Sequence, residues 1–435
     1  MVRNLSAFAL LCIFATGPVC ADAAGGPIKV EVVKTDSGYQ LLRGGKPYAV
    51  RGVGMSRDHI EALVASGGNS IRNWTTADEP QNIRQLLDKA HANGVTVMLC
   101  LPMQAERWGF DYDNADDVSA QLEAFREVVL EYRNHPALLA WIIGNELNHG
   151  YTNPRVYDAV NDVAEMIDEL DPYHPTTTTV AAFRAPVVEE ILARAPALDF
   201  ISFQAYGELF VLPERVAASG FEHPFMVTEW GAIGYWEVEK TRWGAPIEGT
   251  SSQKADVFRR AYANILEPLE GPLLGSYAFY WGQKQERTPT WFGLLTETGE
   301  ETEAVDVLHY IWNGSWPDNQ SPRVKGLELD GRVPQASVTL RPGQRVDAVI
   351  DAYDPDGDAL SFRWELKPES DATQVGGDFE TSIANIEGFI DEQAGAAAGL
   401  TAPGPGAYRL FVYVYDGHGH AAHANFPFLV AGDDR

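Results

Sequence analysis

The sequence predicts a (β/α)8 TIM barrel followed by a small C-terminal immunoglobulin-like β-sandwich. Three observations carry that expectation. Eight apolar runs of strand length alternate with helix-patterned segments between residues 48 and 312, at roughly 30 residues per unit. From residue 332 onward the pattern changes to short alternating strands. Two of the eight runs, the fourth and the seventh, end on glutamates, Glu146 and Glu229, at the strand ends where a barrel gathers its working residues.

Residues 1–23 read as a secretory signal. Arg3 supplies the positive end, Leu5 to Thr16 the apolar stretch and Ala21–Asp22–Ala23 a small-residue cleavage site. That stretch is too short to span a bilayer, and no later run is long enough, so a secreted or periplasmic protein without membrane insertion is expected. A lipid anchor on Cys20 is disfavoured because Val19 stands where a small residue is required. Cys12 and Cys20 fall inside the signal, which leaves Cys100 in the apolar run 95–101 as a buried, inert thiol. Without an internal disulfide the chain relies on its core, which its length makes large enough. The net charge of −28, from 33 basic and 61 acidic residues, argues against nucleic acid and anionic membrane surfaces as partners. A neutral or cationic polysaccharide is compatible with it.

The barrel domain, expected over 24–314, opens with a hairpin: Ile28–Val33 and Tyr39–Leu42 flank the turn Thr35–Asp36–Ser37–Gly38. A second turn, Arg43–Gly44–Gly45–Lys46, leads into the barrel strands at 48–55, 69–74, 95–101, 138–145, 176–183, 199–206, 224–230 and 273–281. Helical patterns are clearest at 79–92, 117–132, 154–169 and 252–266, with a last helix at 302–312; Asp116–Asp117 suits the N-terminal cap of the second. A doubly wound sheet is the competing architecture. It requires a Gly-rich phosphate loop after an early strand, and Gly52–Val53–Gly54 is a poor one. Residues 315–331, with turn-like clusters of Gly, Ser, Pro, Asp and Asn, read as a linker. The sandwich then occupies 332–435, with strands at 345–353, 360–366, 407–415 and 422–430 and a loop at Ala394–Ala398. Its turns Asp354–Pro355–Asp356–Gly357–Asp358 and Asp416–Gly417–His418–Gly419 could meet at one end. Asp354, Asp356, Asp358 and Asp416 are calcium-type oxygen ligands, but the spacing is not that of an EF-hand and Asp–Gly is ordinary hairpin chemistry; turns without metal are favoured.

A carboxylate at the end of an apolar strand is costly to bury unless something pairs with it. Glu146 and Glu229 lie 83 residues apart, three strand–helix units, so both placements are consistent with one barrel. Two such groups suit a retaining glycosidase, in which one carboxylic acid protonates the leaving oxygen and one carboxylate attacks the anomeric carbon. No cofactor is expected, and the scattered histidines make no catalytic metal site. Trp74, Trp108, Tyr151, Trp230, Trp236, Trp243 and Trp291 fall in loops at the barrel mouth, where flat sugar faces could stack on them. Trp236 and Trp243 belong to an insertion, 232–250, expected as a lid or wall; Asn148 and His149, just after Glu146, are expected to line the same cleft.

The segments Gly144–Asn145–Glu146 and Thr228–Glu229–Trp230–Gly231 resemble the acid/base and nucleophile segments of clan A retaining glycoside hydrolases. The likeness is closest to the TIM-barrel catalytic domain of glycoside hydrolase family 2 and related β-glucan-acting families, over roughly residues 48–312. The resemblance implies that Glu146 is the acid/base and Glu229 the nucleophile. It further implies that Asn145 hydrogen-bonds the sugar 2-hydroxyl, that Arg72 keeps Glu229 ionised, that Tyr206 holds the nucleophile in place and that Trp281 floors the sugar subsite. The chain departs from family 2 in having a hairpin where those enzymes carry sandwich domains before the barrel. It departs from family 5 in having Leu147 where a proline is common. The function expected is a secreted retaining β-glycoside hydrolase acting on a β-linked glucan or oligosaccharide. A β-glucan transglycosylase of the same fold and a non-catalytic glycan-binding or adhesion protein are the alternatives. The joint presence of Glu146, Glu229, Asn145, Arg72 and Tyr206 speaks against the last. Sugar, linkage, endo or exo action and oligomeric state are left open.

Overall fold

A computed structural model describes residues 25–55, 59–76, 80–269, 271–373 and 376–432; the expected signal, 1–23, lies outside them. Three short strands, β1 (Val30–Thr35), β2 (Gly38–Arg43) and β3 (Lys46–Pro47), form a small antiparallel sheet. It covers the N-terminal end of the barrel. Val30 N donates to Tyr173 O at 2.8 Å, just ahead of a barrel strand. Val30 and Leu41 pack on Met98, Cys100, Ile142, Met226 and Tyr277. Burial pushes the Cys100 thiol up to about 12, so it stays protonated and inert as expected.

The eight expected strands form a closed parallel barrel: β4 (Gly52–Gly54), β5 (Ser70–Arg72), β6 (Thr96–Leu101), β7 (Leu138–Ile143), β8 (Thr176–Ala181), β9 (Phe200–Gln204), β10 (Phe225–Gly231) and β11 (Leu273–Phe279), with β11 paired to β4. Helices on the outside bury the second face of each strand, which is why these runs are apolar throughout rather than alternating. The most polar departure is β8, with four consecutive threonines. Their β-branched side chains suit a strand, and inside the barrel their hydroxyls find partners. Thr177 Oγ1 lies 3.0 Å from Ser202 Oγ, and Thr178 Oγ1 donates to Ile143 O at 2.7 Å.

The helices are α1 (Ile60–Ala65), α2 (Pro80–Ala92), α3 (Ala115–Tyr132), α4 (Arg155–Leu170), α5 (Ala185–Arg194), α6 (Leu212–Ser219), α7 (Ser251–Ala261) and α8 (Glu303–Asn313). The cap of α3 is Asn114, whose side chain accepts from the backbone N–H of Asp116 and Asp117; those aspartates occupy the first turn instead of the cap. A capping box between Thr250 and Gln253 starts α7.

The C-terminal strands are β12 (Arg323–Leu329), β13 (Thr339–Leu340), β14 (Arg345–Tyr353), β15 (Ser361–Pro368), β16 (Ile390–Ala394), β17 (Ala397–Thr401), β18 (Gly406–Tyr415) and β19 (Ala421–Val430). They form two four-stranded sheets, β12–β14–β17–β16 and β13–β19–β18–β15, around a core that includes Trp364, Leu410, Phe426 and Phe428. Two expectations are corrected. The segment read as linker contains β12, whose buried Val324, Leu327 and Leu329 belong to the sandwich core, and Ala394–Ala398 joins the hairpin strands β16 and β17. The aspartate turns do meet: carboxylate oxygens of Asp354, Asp358 and Asp416 lie within 4.8 Å of one another. Asp356 is turned away and accepts from Gln320 N at 2.7 Å.

Barrel and sandwich are joined through a buried polar cluster centred on Glu248. Lys254 Nζ, on α7, donates to its Oε1, and Thr290 Oγ1 donates to the same oxygen at 2.9 Å. Thr288 Oγ1 and, from β19, Asn425 Nδ2 donate to its Oε2 at 2.6 and 2.7 Å. Arg409, fully buried on β18, fixes Asn425 Oδ1 at 2.7 Å, donates to Pro246 O at 2.8 Å and holds Glu369 through two nitrogens. Burial alone would raise the Glu248 carboxyl, but Lys254, the neighbouring His423 and Arg409 hold it down to about 2. Burial pushes Lys254 below its ordinary value while Glu248 opposes that shift. The direction that governs the cluster is the carboxylate's, because four donors converge on it.

A carboxylate stripped of its buried counter-charge is strongly destabilising, so Lys254→Met is expected to cost about 3–5 kcal/mol in urea unfolding. Lys29→Met, whose partner Glu31 is itself well exposed, is expected to cost less than about 1 kcal/mol. The sign with pH follows from the depressed carboxyl. Stability contributed by Glu248 is complete above its ordinary value of 4.5 and is lost as pH falls toward about 2. A melting temperature that falls no faster in wild type than in Glu248→Gln across that window would contradict the assignment.

Candidate active site

Five strand ends of the barrel bring polar side chains together at its C-terminal face. Glu229, on β10, is 5 % exposed, and four donors converge on it. Its Oε1 accepts from Arg72 Nη1 at 2.9 Å, Trp74 Nε1 at 2.8 Å and Gln204 Nε2 at 2.9 Å; among the described residues its Oε2 accepts only from Tyr206 Oη, at 2.7 Å. The Arg72 guanidinium lies over the Trp74 ring, 4.8 Å from its centre, and its Nη2 donates to Asn145 Oδ1 at 2.9 Å. Asn145 Oδ1 also accepts from Gln204 Nε2 at 2.9 Å and Thr179 Oγ1 at 3.2 Å. Its oxygen is thereby committed to the protein, and its Nδ2 is turned toward the cleft without a partner among the described residues.

Glu146 stands across the same cavity, beyond the end of β7. The chain must turn sharply there, with left-handed backbone at both Gly144 (φ +73°) and Glu146 (φ +49°). A Cβ at Gly144 would sit 2.5 Å from the Leu147 side chain, so glycine is required twice over. Glu146 has no such freedom, and the left-handed conformation costs it roughly 1–3 kcal/mol. Its N–H donates to Thr179 O at 3.2 Å and Thr179 Oγ1 at 3.0 Å, which holds the turn. His149 Nε2 is 3.4 Å from Glu146 Oε2.

Burial is the largest influence on the Glu229 carboxyl and raises it above its ordinary value, and the charge of Glu146 adds to the rise. Arg72 acts in the expected direction, pulling it down together with Tyr206 and Trp74, but burial outweighs them. The surroundings still serve the ionised form, since four donors face the carboxylate. Tyr206, raised well above its ordinary value by burial and by Glu229, keeps its proton as a donor.

The cleft above this pair has a volume of about 1000 Å3. Trp74, Trp108, Tyr235, Trp236, Phe279, Tyr280 and Phe379 are among the aromatics of its wall. Of the expected site residues, Glu146, Asn145, Glu229 and Tyr206 line the cleft, as do Asn148 and His149. Arg72 lies behind the wall, fully buried, and positions Glu229 and Asn145 rather than facing the cleft. Trp281 does not reach the cleft at all: it is 1 % exposed, packs near Trp312 and donates to His59 O at 3.2 Å. Phe279, two residues earlier and the last residue of β11, lines the cleft. Among the other expected mouth aromatics, Tyr151 donates to Glu190 Oε2 at 2.9 Å, Trp230 packs on Phe258, and Trp291 is buried with its Nε1 on Ile233 O. Trp243 is also absent from the wall. Gln204, which ties Glu229 to Asn145, escaped sequence reasoning. Its signal was a polar side chain in the apolar run that also ends on Tyr206.

Among the described residues, the cations of the cleft wall lie against acids: Arg107 against Asp378 at 3.2 Å, Arg184 against Glu208 at 2.8 Å and Lys284 against Glu286 at 2.6 Å.

Residues 55–233 match the family model described as glycosyl hydrolases family 2, TIM barrel domain, a span that contains both Glu146 and Glu229. Among solved structures, the fold is similar to the β-D-glucuronidase of Dictyoglomus thermophilum at 19% identity and a TM-score of 0.51, covering 67% of this chain and 54% of that one. It is similar to the Bifidobacterium dentium β-glucuronidase at 19% identity and a TM-score of 0.50, covering 67% and 50%. A third similar structure is Bacteroides uniformis β-glucuronidase 2, at 14% identity and a TM-score of 0.50, covering 92% and 48%. The chain spans about half the length of these proteins. Its barrel resembles the catalytic domain of glycoside hydrolase family 2, a retaining family.

If burial dominates Glu229, its carboxyl titrates above the ordinary glutamate value. Arg72→Met, which removes the nearest cation, moves the midpoint higher still. Carbon-13 NMR of glutamate-labelled protein would read both; a midpoint at or below the ordinary value, or one unmoved by Arg72→Met, contradicts the account.

Proposed function

We propose that this chain is an exported retaining β-glycoside hydrolase that cleaves a neutral β-linked glucan or oligosaccharide by double displacement. The observation that carries the proposal is the asymmetric solvation of Glu229. Among the described residues Oε1 accepts three hydrogen bonds and Oε2 only the one from Tyr206, so Oε2 is the oxygen with a lone pair free to attack. In the first step Oε2 bonds to the anomeric carbon while the bond to the leaving oxygen breaks, and Glu146 delivers its proton to that oxygen. Water then attacks the same carbon, Glu146 takes its proton, and Glu229 departs as a carboxylate. Charge lost from Glu229 as the covalent bond forms returns on its release, when Arg72 again neutralises it. Asn145 Nδ2 is placed to donate to a hydroxyl of the reacting sugar, a contact that strengthens as positive charge develops on the ring.

A neutral sugar is favoured over a uronic acid by the charges of the cleft. The structural relatives above include β-glucuronidases. A substrate carboxylate is best met by a cation whose charge is not already compensated, and among the described residues of the wall Arg107, Arg184 and Lys284 each lie against an acid. Aromatic faces on the wall suit instead the C–H face of a glucosyl unit.

Wild type and Glu229→Gln would be incubated with β-glucans, aryl β-glucosides and an aryl β-glucuronide, with products read by mass and anomeric configuration. Retained-anomer products lost by at least about 10^3-fold in the variant are expected. Inverted products would sink the mechanism, and glucuronide turned over faster than glucoside would sink the substrate class. The acid limb of kcat/KM is expected above the ordinary glutamate value, because activity disappears as Glu229 takes a proton.

A further inference from the structure

The wall of the cleft is not made by the barrel alone. Gly376, Gly377, Asp378 and Phe379, from the long connection between β15 and β16 of the sandwich, border the same cavity as Glu146 and Glu229. That loop is fastened to three separate barrel loops. After β6, Arg107 Nη2 meets Asp378 Oδ1 at 3.2 Å. After β11, Lys284 Nζ donates to Gly377 O and Gly377 N donates to Glu286 Oε1, both at 3.2 Å, and Arg287 N donates to Glu380 Oε2 at 2.8 Å. After β10, Trp236 packs so closely that a Cβ on Gly376 would lie 2.9 Å from its ring. Trp236 in turn makes an edge contact with Tyr206, centroids 5.6 Å apart, so the loop is continuous with the packing around Glu229.

Within this pinned loop Phe379 is 84% exposed, although the next residue, Glu380, is buried. A large apolar side chain held in water between fixed neighbours does nothing for the core. Trp108, at 59% more exposed than Trp236 at 48%, belongs to the short helical turn Glu106–Trp108. That turn packs on the segment following Glu146, since Glu106 accepts from Thr152 N at 2.7 Å and Asn153 N at 3.0 Å. It therefore borders the side from which the acid/base reaches the leaving group.

We propose that the sandwich completes the substrate cleft, and that Phe379 together with Trp108 forms an aromatic subsite at its rim for a β-glucan unit on the leaving-group side. This rests on the glycosidase reading above. A sugar ring presents axial C–H groups to such aromatic faces while its equatorial hydroxyls stay in water. Recognition of this kind asks for a neutral, extended ligand longer than the sugar being cleaved. The C-terminal domain then contributes to substrate choice and is more than a spacer.

The test uses the full chain carrying Glu229→Gln and isothermal titration with β-1,3- and β-1,4-linked glucose hexasaccharides and trisaccharides. Phe379→Ala, added to that background, is expected to lower the ratio of hexasaccharide to trisaccharide affinity about tenfold, equivalent to about 1.4 kcal/mol. Trp108→Ala is expected to act likewise, and Phe379→Trp to restore the ratio. An unchanged ratio, or a loss equal for both lengths, overturns the subsite while leaving the glycosidase reading intact. No binding of any of these sugars by either protein overturns both. Unaltered melting temperatures for the variants, expected because both side chains are exposed, separate lost recognition from lost folding.

Discussion

The site depends on neutralising one carboxylate that has been withdrawn from water. Glu229 cannot be buried at the end of β10 without donors, and the donors arrive from two distant strands: Arg72 and Trp74 from the end of β5, Gln204 and Tyr206 from the end of β9. β9 is the neighbour of β10, but β5 is three places around the barrel in the other direction. Only a closed barrel holds both within hydrogen-bond reach of one side chain. The same closure makes the full burial of Arg72 tolerable, because its charge is met by Glu229 and its second nitrogen by Asn145. Positioning of the reacting groups and stability of the barrel's upper end are therefore one problem with one solution.

The second domain obeys a similar rule in a different place. Glu248 and Lys254 form a buried ion pair that the barrel leaves unfinished, and Asn425, fixed by Arg409, finishes it from the sandwich. This seam sets how the sandwich sits, and so sets where its loop 376–380 falls across the mouth of the cleft. A polar seam has little tolerance for sliding, since each hydrogen bond left unmade strands a buried group.

The barrel was readable because parallel strands covered on both faces are continuous apolar runs, which stand out against helix periodicity. All eight were located. By contrast α1, at six residues, and α6, at eight, are too short for an amphipathic period to repeat convincingly. The linker reading extends too far because the charged residues and glycine in β12 resemble turn composition, although Val324, Leu327 and Leu329 are buried. Glu146 and Glu229 could be read directly, as charges ending apolar runs. Trp281 is misassigned by sequence because β11 ends on Phe279 and two more aromatics, Tyr280 and Trp281, follow it, so a slip of one or two positions decides which ring faces the cleft. Nothing in the local sequence could have tied Asp378 to Arg107, 271 residues away.

The Glu248 seam also has a meaning for inheritance. Glu248 and Asn425 are 177 residues apart in the chain, yet a change at either alters the chemistry confronting the other. The two halves of the protein are thus bound to a common history. Recombination that exchanged the sandwich for another of equal fold would deliver a folded partner to a barrel whose buried Glu248 had lost one of its four donors. Related chains that keep Glu248 should be found to keep an amide or hydroxyl donor opposite it. Domain shuffling, the usual route by which appended sandwiches spread, is closed to this pair unless the seam travels with them.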